Sequence, residues 1–117
     1  MNFNFEKLNV YQQSIEFTNQ VFDKTKRWPT KYQFSLGEQL RRASLSIPLN
    51  IAEGSSRTKK EFKRFLSIAR GSCFECIPLV DISWKQKLTS SKEKTIWYNQ
   101  LLVLAKMLSS LRNSLSK

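Results

Sequence analysis

Apolar residues recur every three or four positions along most of this 117-residue chain, and that spacing places them on one face of an α-helix. The clearest stripe lies near the carboxyl end, where six large apolar side chains follow without a break: Trp97, Leu101, Leu104, Leu108, Leu111 and Leu115. The same spacing predicts helices over about residues 6–27, 35–54, 58–88 and 92–115. Four helices with short connections indicate an all-α fold, an up-down-up-down four-helix bundle that forms a single domain over residues 1–117.

Two of these helices carry more apolar residues than one buried stripe requires. The first has two neighbouring stripes, one of Leu8, Tyr11, Ile15, Thr18 and Phe22 and one of Val10, Phe17, Val21 and Trp28. The third adds six apolar positions to its own stripe of Phe62, Leu66, Ala69, Cys73, Cys76 and Val80, namely Phe65, Phe74, Ile77, Leu79, Ile82 and Trp84. Small bundles are marginally stable alone, so we expect subunits of a homo-oligomer to cover this surplus. Apolar residues scattered over the surface are the alternative.

Proline and glycine mark the predicted helix ends and irregular points. The first helix should end before Pro29, because the residue before a proline is disfavoured in the α conformation. Pro48 and Pro78 each lie inside a helix and remove one backbone donor. We expect kinks there and not breaks, because the apolar stripes continue past both positions. Gly54 fits a helix stop, whereas Gly71 should allow another backbone to approach closely.

The charge of the chain is strongly positive and unevenly distributed. Twenty Lys and Arg stand against nine Asp and Glu, a net charge of +11. Residues 1–54 hold seven basic and five acidic residues, a net charge of +2, and residues 55–117 hold thirteen and four, a net charge of +9. Such an excess favours a polyanionic partner such as RNA or DNA. No apolar run reaches the ~18 residues of a membrane span and no secretion signal opens the chain, so we expect a cytoplasmic protein without a membrane partner.

Two groups of basic residues are the candidate nucleic-acid-binding sites. The first lies around the start of the third helix, with Glu61 as its single acid, and consists of Arg57, Lys59, Lys60, Lys63, Arg64 and Arg70. Helical spacing places Lys60, Lys63 and Arg64 on one face, where they can contact successive phosphates. The second surrounds the connection after the third helix and consists of Lys85, Lys87, Lys92 and Lys94. Solvated helix faces are the alternative interpretation of both groups.

A polar stripe runs beside the apolar stripe of the second helix. Its members recur at helical spacing: Gln39, Arg42, Ser46, Asn50, Glu53 and Arg57. Charges that become buried need partners, so we predict a structural polar network of Arg42, Asn50, Glu53, Arg70 and Glu75. In this network Arg42 or Arg70 pairs with Glu53 or Glu75, within or between subunits. A polar ligand-binding site is the alternative.

The composition removes most catalytic chemistry. Histidine is absent, and with it the commonest general base and metal ligand. Cys73 and Cys76 form the one catalytic-looking motif, but both fall on an apolar stripe inside a helix, where cysteine packs as a small hydrophobic residue. A zinc site needs four ligands, and no further Cys exists in the chain. We therefore expect no catalytic residues, no metal and no cofactor.

Residues 39–57, QLRRASLSIPLNIAEGSSR, and residues 59–75, KKEFKRFLSIARGSCFE, carry a family resemblance. Together with the opening Phe5-Glu6-Lys7-Leu8 they resemble the bacterial 23S rRNA-intervening-sequence proteins, which are related to the accessory variability proteins of diversity-generating retroelements. The resemblance implies a four-helix bundle that assembles into a ring-like homopentamer, and it supplies no catalytic residues. The Cys73–Cys76 segment departs from the family pattern, so the third helix should bend locally there.

These observations favour a non-enzymatic, homo-oligomeric helical bundle that binds RNA or DNA through phosphate contacts. The expected partners are further copies of the chain and a nucleic acid. A protein-interaction scaffold without nucleic-acid binding is the alternative, with another protein as its partner. The two differ in salt dependence, because phosphate binding weakens steeply with salt.

Overall fold

Four long helices make up nearly all of the computed structural model, which describes residues 3–116. They are α1 (Asn9–Thr25), α2 (Leu36–Ser55), α3 (Lys59–Lys85) and α4 (Ser91–Ser114), with short 3₁₀ turns at Asn4–Lys7 and Thr30–Tyr32. Helix α1 lies next to α2 and α4, and α3 lies next to the same two helices. The described residues therefore form an all-α four-helix bundle, about 45 Å long. No helix among them is long and apolar enough to cross a membrane.

The ends of the first and third helices differ from the predicted ends. Helix α1 begins at Asn9, because Leu8 is extended with φ −73° and ψ 127°. At its other end, the Gln33 side-chain amide donates to the Thr25 carbonyl at 2.7 Å. This bond supplies a donor to one of the last carbonyls of the helix, which have no partner within the helix itself. Helix α3 ends at Lys85 and not near residue 88, because Lys87 takes a left-handed φ of 65°. Schellman-type hydrogen bonds from Lys87 and Leu88 close this end.

Side-chain caps set the starts of the last two helices. The Thr58 hydroxyl accepts from the Glu61 backbone N–H at 3.2 Å, as the sequence predicts for α3. Helix α4 starts with a reciprocal capping box, in which Glu93 N–H donates to the Ser90 hydroxyl at 3.1 Å and Ser90 N–H donates to the Glu93 carboxylate at 2.7 Å. The cap is therefore Ser90, because only Ser90 stands three residues before the glutamate, and α4 begins at Ser91, one residue before the predicted start.

The core follows the predicted stripes on α2, α3 and α4, including Cys73 and Cys76. On α1 it uses the stripe of Val10, Phe17 and Val21. The neighbouring α1 stripe is divided: Leu8 and Tyr11 pack against the core and Thr18 is buried, whereas Ile15 is 44% and Phe22 38% exposed. Part of the surplus therefore joins the core, and the rest forms surface.

Two outer surfaces of the bundle carry these exposed apolar residues. We call Ile15, Phe22, Leu45 and Leu49 the α1–α2 face; they flank the point where Thr18 meets Ser44. Phe74, Ile82, Tyr98 and Leu102 lie on the outside of α3 and α4. Because α3 is diagonal to α1 in the bundle, these two surfaces point in different directions.

The close approach predicted at Gly71 occurs at Gly54, beside the end of α2 that was predicted there. A Cβ at Gly54 would lie 2.6 Å from the Cβ of Phe65 and 2.9 Å from the ring of Phe62, so this glycine permits the close approach of α2 and α3. Gly71, predicted to allow close approach, has open space where its side chain would be. The sequence could not separate the two, because the neighbours that meet Gly54, Phe62 and Phe65, lie on another helix.

Pro48 leaves one backbone carbonyl of α2 without its helical hydrogen bond, and a side chain of α1 supplies the donor. A proline has no N–H, so the Ser44 carbonyl four residues earlier loses its helical donor. The Thr18 hydroxyl of α1 donates to this buried carbonyl at 2.9 Å. The helix continues without a break through Pro48, and the tertiary hydrogen bond takes the place of the missing helical one.

Replacing Thr18 with Val should destabilise the chain by about 1–3 kcal/mol, because the Ser44 carbonyl would stay buried without a donor. The same change in a Pro48→Ala background should cost less, since an alanine at position 48 supplies the missing N–H. Urea unfolding of the four variants in a double-mutant cycle measures the difference. Equal costs in both backgrounds would contradict this role for Thr18.

Candidate nucleic-acid interface

Four basic residues on the first turns of α3 project without acidic partners. Lys59, Lys60 and Arg64 are exposed and Lys63 is half-buried. None of them takes part in an ion pair of the part of the chain that the structure describes. We call these four residues the α3 cluster. Their charges are open to solvent, and the Thr58 cap sets the helix direction that presents them.

Arg57 was predicted to belong with these residues, but in the structure this exposed side chain pairs with two acids. Its guanidinium contacts the Glu53 carboxylate at 2.7 Å and the Glu61 carboxylate at 3.7 Å. The hydrogen bond to Glu53 and the charge of that carboxylate raise the pKa of Arg57. Arg57 and Arg64 also lie over the ring of Phe65, at 5.5 and 4.9 Å from its centre. Arg57 therefore joins an acid of α2 to an acid of α3 across the connection between the two helices. It is less available to a phosphate than the α3 cluster.

One basic residue of this surface was missed from the sequence. Arg112, near the end of α4, donates to the Ser67 hydroxyl of α3 at 3.1 Å. Beside it, the Lys63 ammonium contacts the Ser116 hydroxyl at 3.4 Å. Local sequence carries no signal for this contact; only the antiparallel packing of α3 and α4, which brings the end of one helix beside the start of the other, could have indicated it. Arg112 extends the basic surface from α3 onto α4.

The second predicted group lies at the other end of α3, about 40 Å away by helix length. Lys85, Lys87 and Lys92 are exposed. Lys94 is paired with Asp81 at 3.7 Å and lies 4.2 Å from the centre of the Trp84 ring. The two groups cannot contact the same short stretch of a ligand, and acids partly compensate the second one.

The predicted polar network does not form its ion pairs within one chain. Among residues 3–116, no salt bridge joins Arg42 or Arg70 with Glu53 or Glu75, because Glu53 already pairs with Arg57 one helical turn away. Arg70 instead lies 4.7 Å from the centre of the Phe74 ring, and its Nε is buried without a partner among the described residues.

The neutral part of the stripe does connect α2 with α3. Asn50 donates to the Ser46 carbonyl at 2.7 Å and to its hydroxyl at 2.9 Å, and the Ser72 hydroxyl donates to that hydroxyl at 2.9 Å. Arg42 and Glu75 line an open cavity of about 380 Å³ beside these residues. The stripe is thus a polar surface in a single chain, available to a neighbouring molecule.

Sequence comparison adds to this geometry. Residues 6–110 match the family described as 23S rRNA-intervening sequence protein. The chain belongs to this family. The resemblance carried by residues 39–57 and 59–75 is confirmed, and the match extends over nearly all of α1 to α4. No curated protein matches the chain in sequence.

A solved structure shares the fold of this 23S rRNA-intervening sequence family member. It is a protein with unknown function from the S23 ribosomal protein family of Bacteroides thetaiotaomicron VPI-5482. The two chains superpose with a TM-score of 0.82 at 21% identity, over 89% of this chain and 95% of that one. At this identity the likeness shows the fold alone.

Arg41, the first arginine of the family signature, has a structural role. Arg41 donates to the Gln33 carbonyl at 2.7 Å and contacts the Gln33 side-chain oxygen at 3.3 Å. Gln33 in turn donates to the carbonyls of Thr25 and Trp28. Arg41 therefore holds the connection between α1 and α2, while its neighbour Arg42 remains exposed.

The two thiols are packed in the core of α3. Burial raises the pKa of Cys73 to about 12, against a smaller opposing effect of Arg70. Burial also raises the pKa of Cys76, and the neighbouring thiol adds to the effect. Both cysteines are free and buried, and a thiol with such a pKa is a poor nucleophile near neutral pH.

Cys73 and Cys76 should accordingly react slowly with a disulfide reagent such as dithionitrobenzoate at pH 8 in the folded protein. Adding 6 M guanidinium chloride should release two reactive thiols per chain at once. Absorbance of the released thiolate follows the reaction. Rapid reaction of either thiol before unfolding would show that α3 is more open than the structure indicates.

Proposed function

We propose that this protein is a non-enzymatic, cytoplasmic, homo-oligomeric bundle that binds RNA or DNA through phosphate contacts on the first turns of α3. The observation that carries the proposal is the α3 cluster, four cations without an acidic partner in the described chain. Arg112 extends the same surface onto α4. Desolvation costs little at such exposed groups, and a polyanion releases counterions when they bind it.

The chemistry of this surface supports affinity without sequence preference. Lysine and arginine side chains on a helix face contact phosphate oxygens, which are the same in every nucleotide. A base-reading motif is not apparent among these residues. The description of the family, 23S rRNA-intervening sequence protein, favours RNA over DNA as the ligand to test first.

The homo-oligomer is supported by the α1–α2 face. Its four side chains are 38–58% exposed, and they lie in the half of the chain that carries a net charge of only +2. Copies of a basic protein repel one another least where this charge is lowest. A cyclic assembly joins two different patches, and the polar stripe of Arg42 and Glu75 offers the second. The family resemblance implies a pentamer.

A protein-interaction scaffold is the second candidate. The exposed apolar residues on the outer surface of α3 and α4 favour it, because contiguous apolar surface often marks a protein contact. Salt dependence separates the two functions: phosphate binding weakens steeply with salt, whereas an apolar contact does not.

Changing Lys60, Lys63 and Arg64 together to Gln should weaken binding of labelled RNA of any sequence. Affinity falls as salt rises, and each lost phosphate contact should reduce the steepness of this fall, the magnitude of the slope of log affinity against log salt, by about 0.7–0.9. Fluorescence anisotropy at several salt concentrations gives both quantities. The matched control changes Lys26, Arg27 and Lys31 to Gln, which removes the same charge from the opposite half of the chain.

Equal losses in the two triple variants would mean that net charge, and not the α3 cluster, determines affinity. If the unaltered protein binds neither RNA nor DNA at ~50 mM salt, the nucleic-acid function is wrong and the scaffold function takes its place.

Light scattering at micromolar concentration should give about five times the 13.7 kDa chain mass. Changing Leu45 and Leu49 to Gln should lower this mass while circular dichroism stays helical, because both side chains are exposed in the single chain. A control change of Val103, 42% exposed on α4, to Gln should leave the mass unchanged, because this side chain lies on neither proposed contact patch. A monomeric unaltered protein would contradict the assembly.

A further inference from the structure

The phosphate contacts proposed above do not use the groove between α3 and α4. It consists of two cavities of about 300 and 320 Å³ that share Tyr98 as a lining residue. One cavity contains Phe74 and the other contains Trp84. Because the two helices are antiparallel, the three rings follow the groove in the order Phe74, Tyr98, Trp84.

We infer that this groove binds single-stranded nucleic acid by stacking bases on Phe74, Tyr98 and Trp84, with the α3 cluster holding the strand beyond one end. The inference rests on the proposed nucleic-acid function and extends it from phosphate contacts to a class of ligand. Aromatic platforms along a basic groove are the usual means of holding a single strand without reading its sequence.

The rings are accessible and held in place. Phe74 is 57% and Tyr98 47% exposed. Trp84 is half-buried, and its indole N–H donates to the Ser91 hydroxyl at 3.1 Å, which fixes one edge of the ring. A platform fixed before binding loses little entropy when a base stacks on it.

Cations already lie over two of the rings. The Arg70 guanidinium is 4.7 Å from the centre of Phe74, and the ammonium groups of Lys94 and Lys85 are 4.2 and 5.4 Å from the centre of Trp84. A base that stacks on such a ring displaces the cation toward its own phosphate. Among the described residues that line the groove, Asp81 is the one acid, and Lys94 pairs with it at 3.7 Å.

The spacing of the rings suits an extended strand and excludes a duplex. Phe74 and Trp84 are ten positions apart on α3, about 15 Å along the helix axis. With Tyr98 between them, neighbouring rings are about 7 Å apart, twice the ~3.4 Å rise of a strand within a duplex. Duplex bases are stacked on one another and cannot reach the rings, so a duplex would touch only the cations.

The protein contains its own probe for this contact. Trp28 and Trp97 are only 6% and 4% exposed, so Trp84 is the tryptophan of the bundle that a ligand can reach. A ten-nucleotide oligo(U) should quench its emission, whereas an RNA duplex of ten base pairs should bind without comparable quenching. Trp84→Phe should abolish the quenching while anisotropy still reports binding.

Phe74→Ala with Tyr98→Ala should weaken oligo(U) binding about tenfold or more at 100 mM salt, as the loss of two stacking contacts implies, and should leave duplex binding unchanged. The matched control is Ile96→Ala with Val103→Ala, which removes two exposed apolar side chains of α4 that do not line the groove. Phe74→Tyr with Tyr98→Phe should keep full affinity, because rings remain at both positions.

Four results would overturn the inference. They are oligo(U) binding without quenching, an unchanged affinity of the double Ala variant, equal competition by polyglutamate of the same charge, and a lower oligomer mass for that variant, which would make the groove a subunit contact. In each case duplex binding can persist, and the proposed function then survives. If neither oligo(U) nor duplex binds at ~50 mM salt, the proposed function fails and the inference fails with it.

Discussion

Each backbone carbonyl inside a helix needs a hydrogen-bond donor, and Pro48 removes one such donor from the middle of α2. The fold meets this requirement from outside the helix, through the Thr18 hydroxyl of α1. The buried hydrogen bond sets the register between α1 and α2, since only Thr18 places a hydroxyl at this carbonyl. With α2 held in that way, its end at Gly54 fits against Phe62 and Phe65. The position of α3, and of every charge on its first turns, follows from that contact.

The two ends of α3 show how the same type of residue acquires different roles. At the first end, Glu53 and Glu61 are taken by Arg57, so the lysines beyond it have no acid to bind. At the second end, Asp81 engages Lys94 and Glu93 engages Lys24 at 2.7 Å. Burial alone would raise the pKa of Glu93, but hydrogen bonds from Lys24 and Ser90 together lower it. The acids at both ends of α3 are therefore already paired, and the cations beside them are left to solvent.

Much of the fold could be predicted from hydrophobic spacing, but the choice between equal stripes could not. Helices α2 and α4 each have one clear apolar stripe, and these stripes supply core residues, as does the main stripe of α3. On α1 the residues Ile15 and Phe22 are as apolar as Phe17 and Val21, and only packing against the other helices decides which pair is buried. In the candidate site, the α3 cluster could be predicted from local sequence. Arg112 could not, because its neighbour Ser67 is 45 positions away. The partner of Glu53 proved to be the nearest cation along the chain, Arg57 in the connection after α2.

Lys87 holds the left-handed position that ends α3, with φ 65°. A residue with a Cβ is strained there by roughly 1 kcal/mol, and glycine is the usual occupant. Glycine would relieve that strain but would also remove a positive charge from the surface. A substitution at this position would therefore change the stability of the helix end and the charge of the connection together. The lysine keeps a cation at the connection at the expense of a strained backbone position.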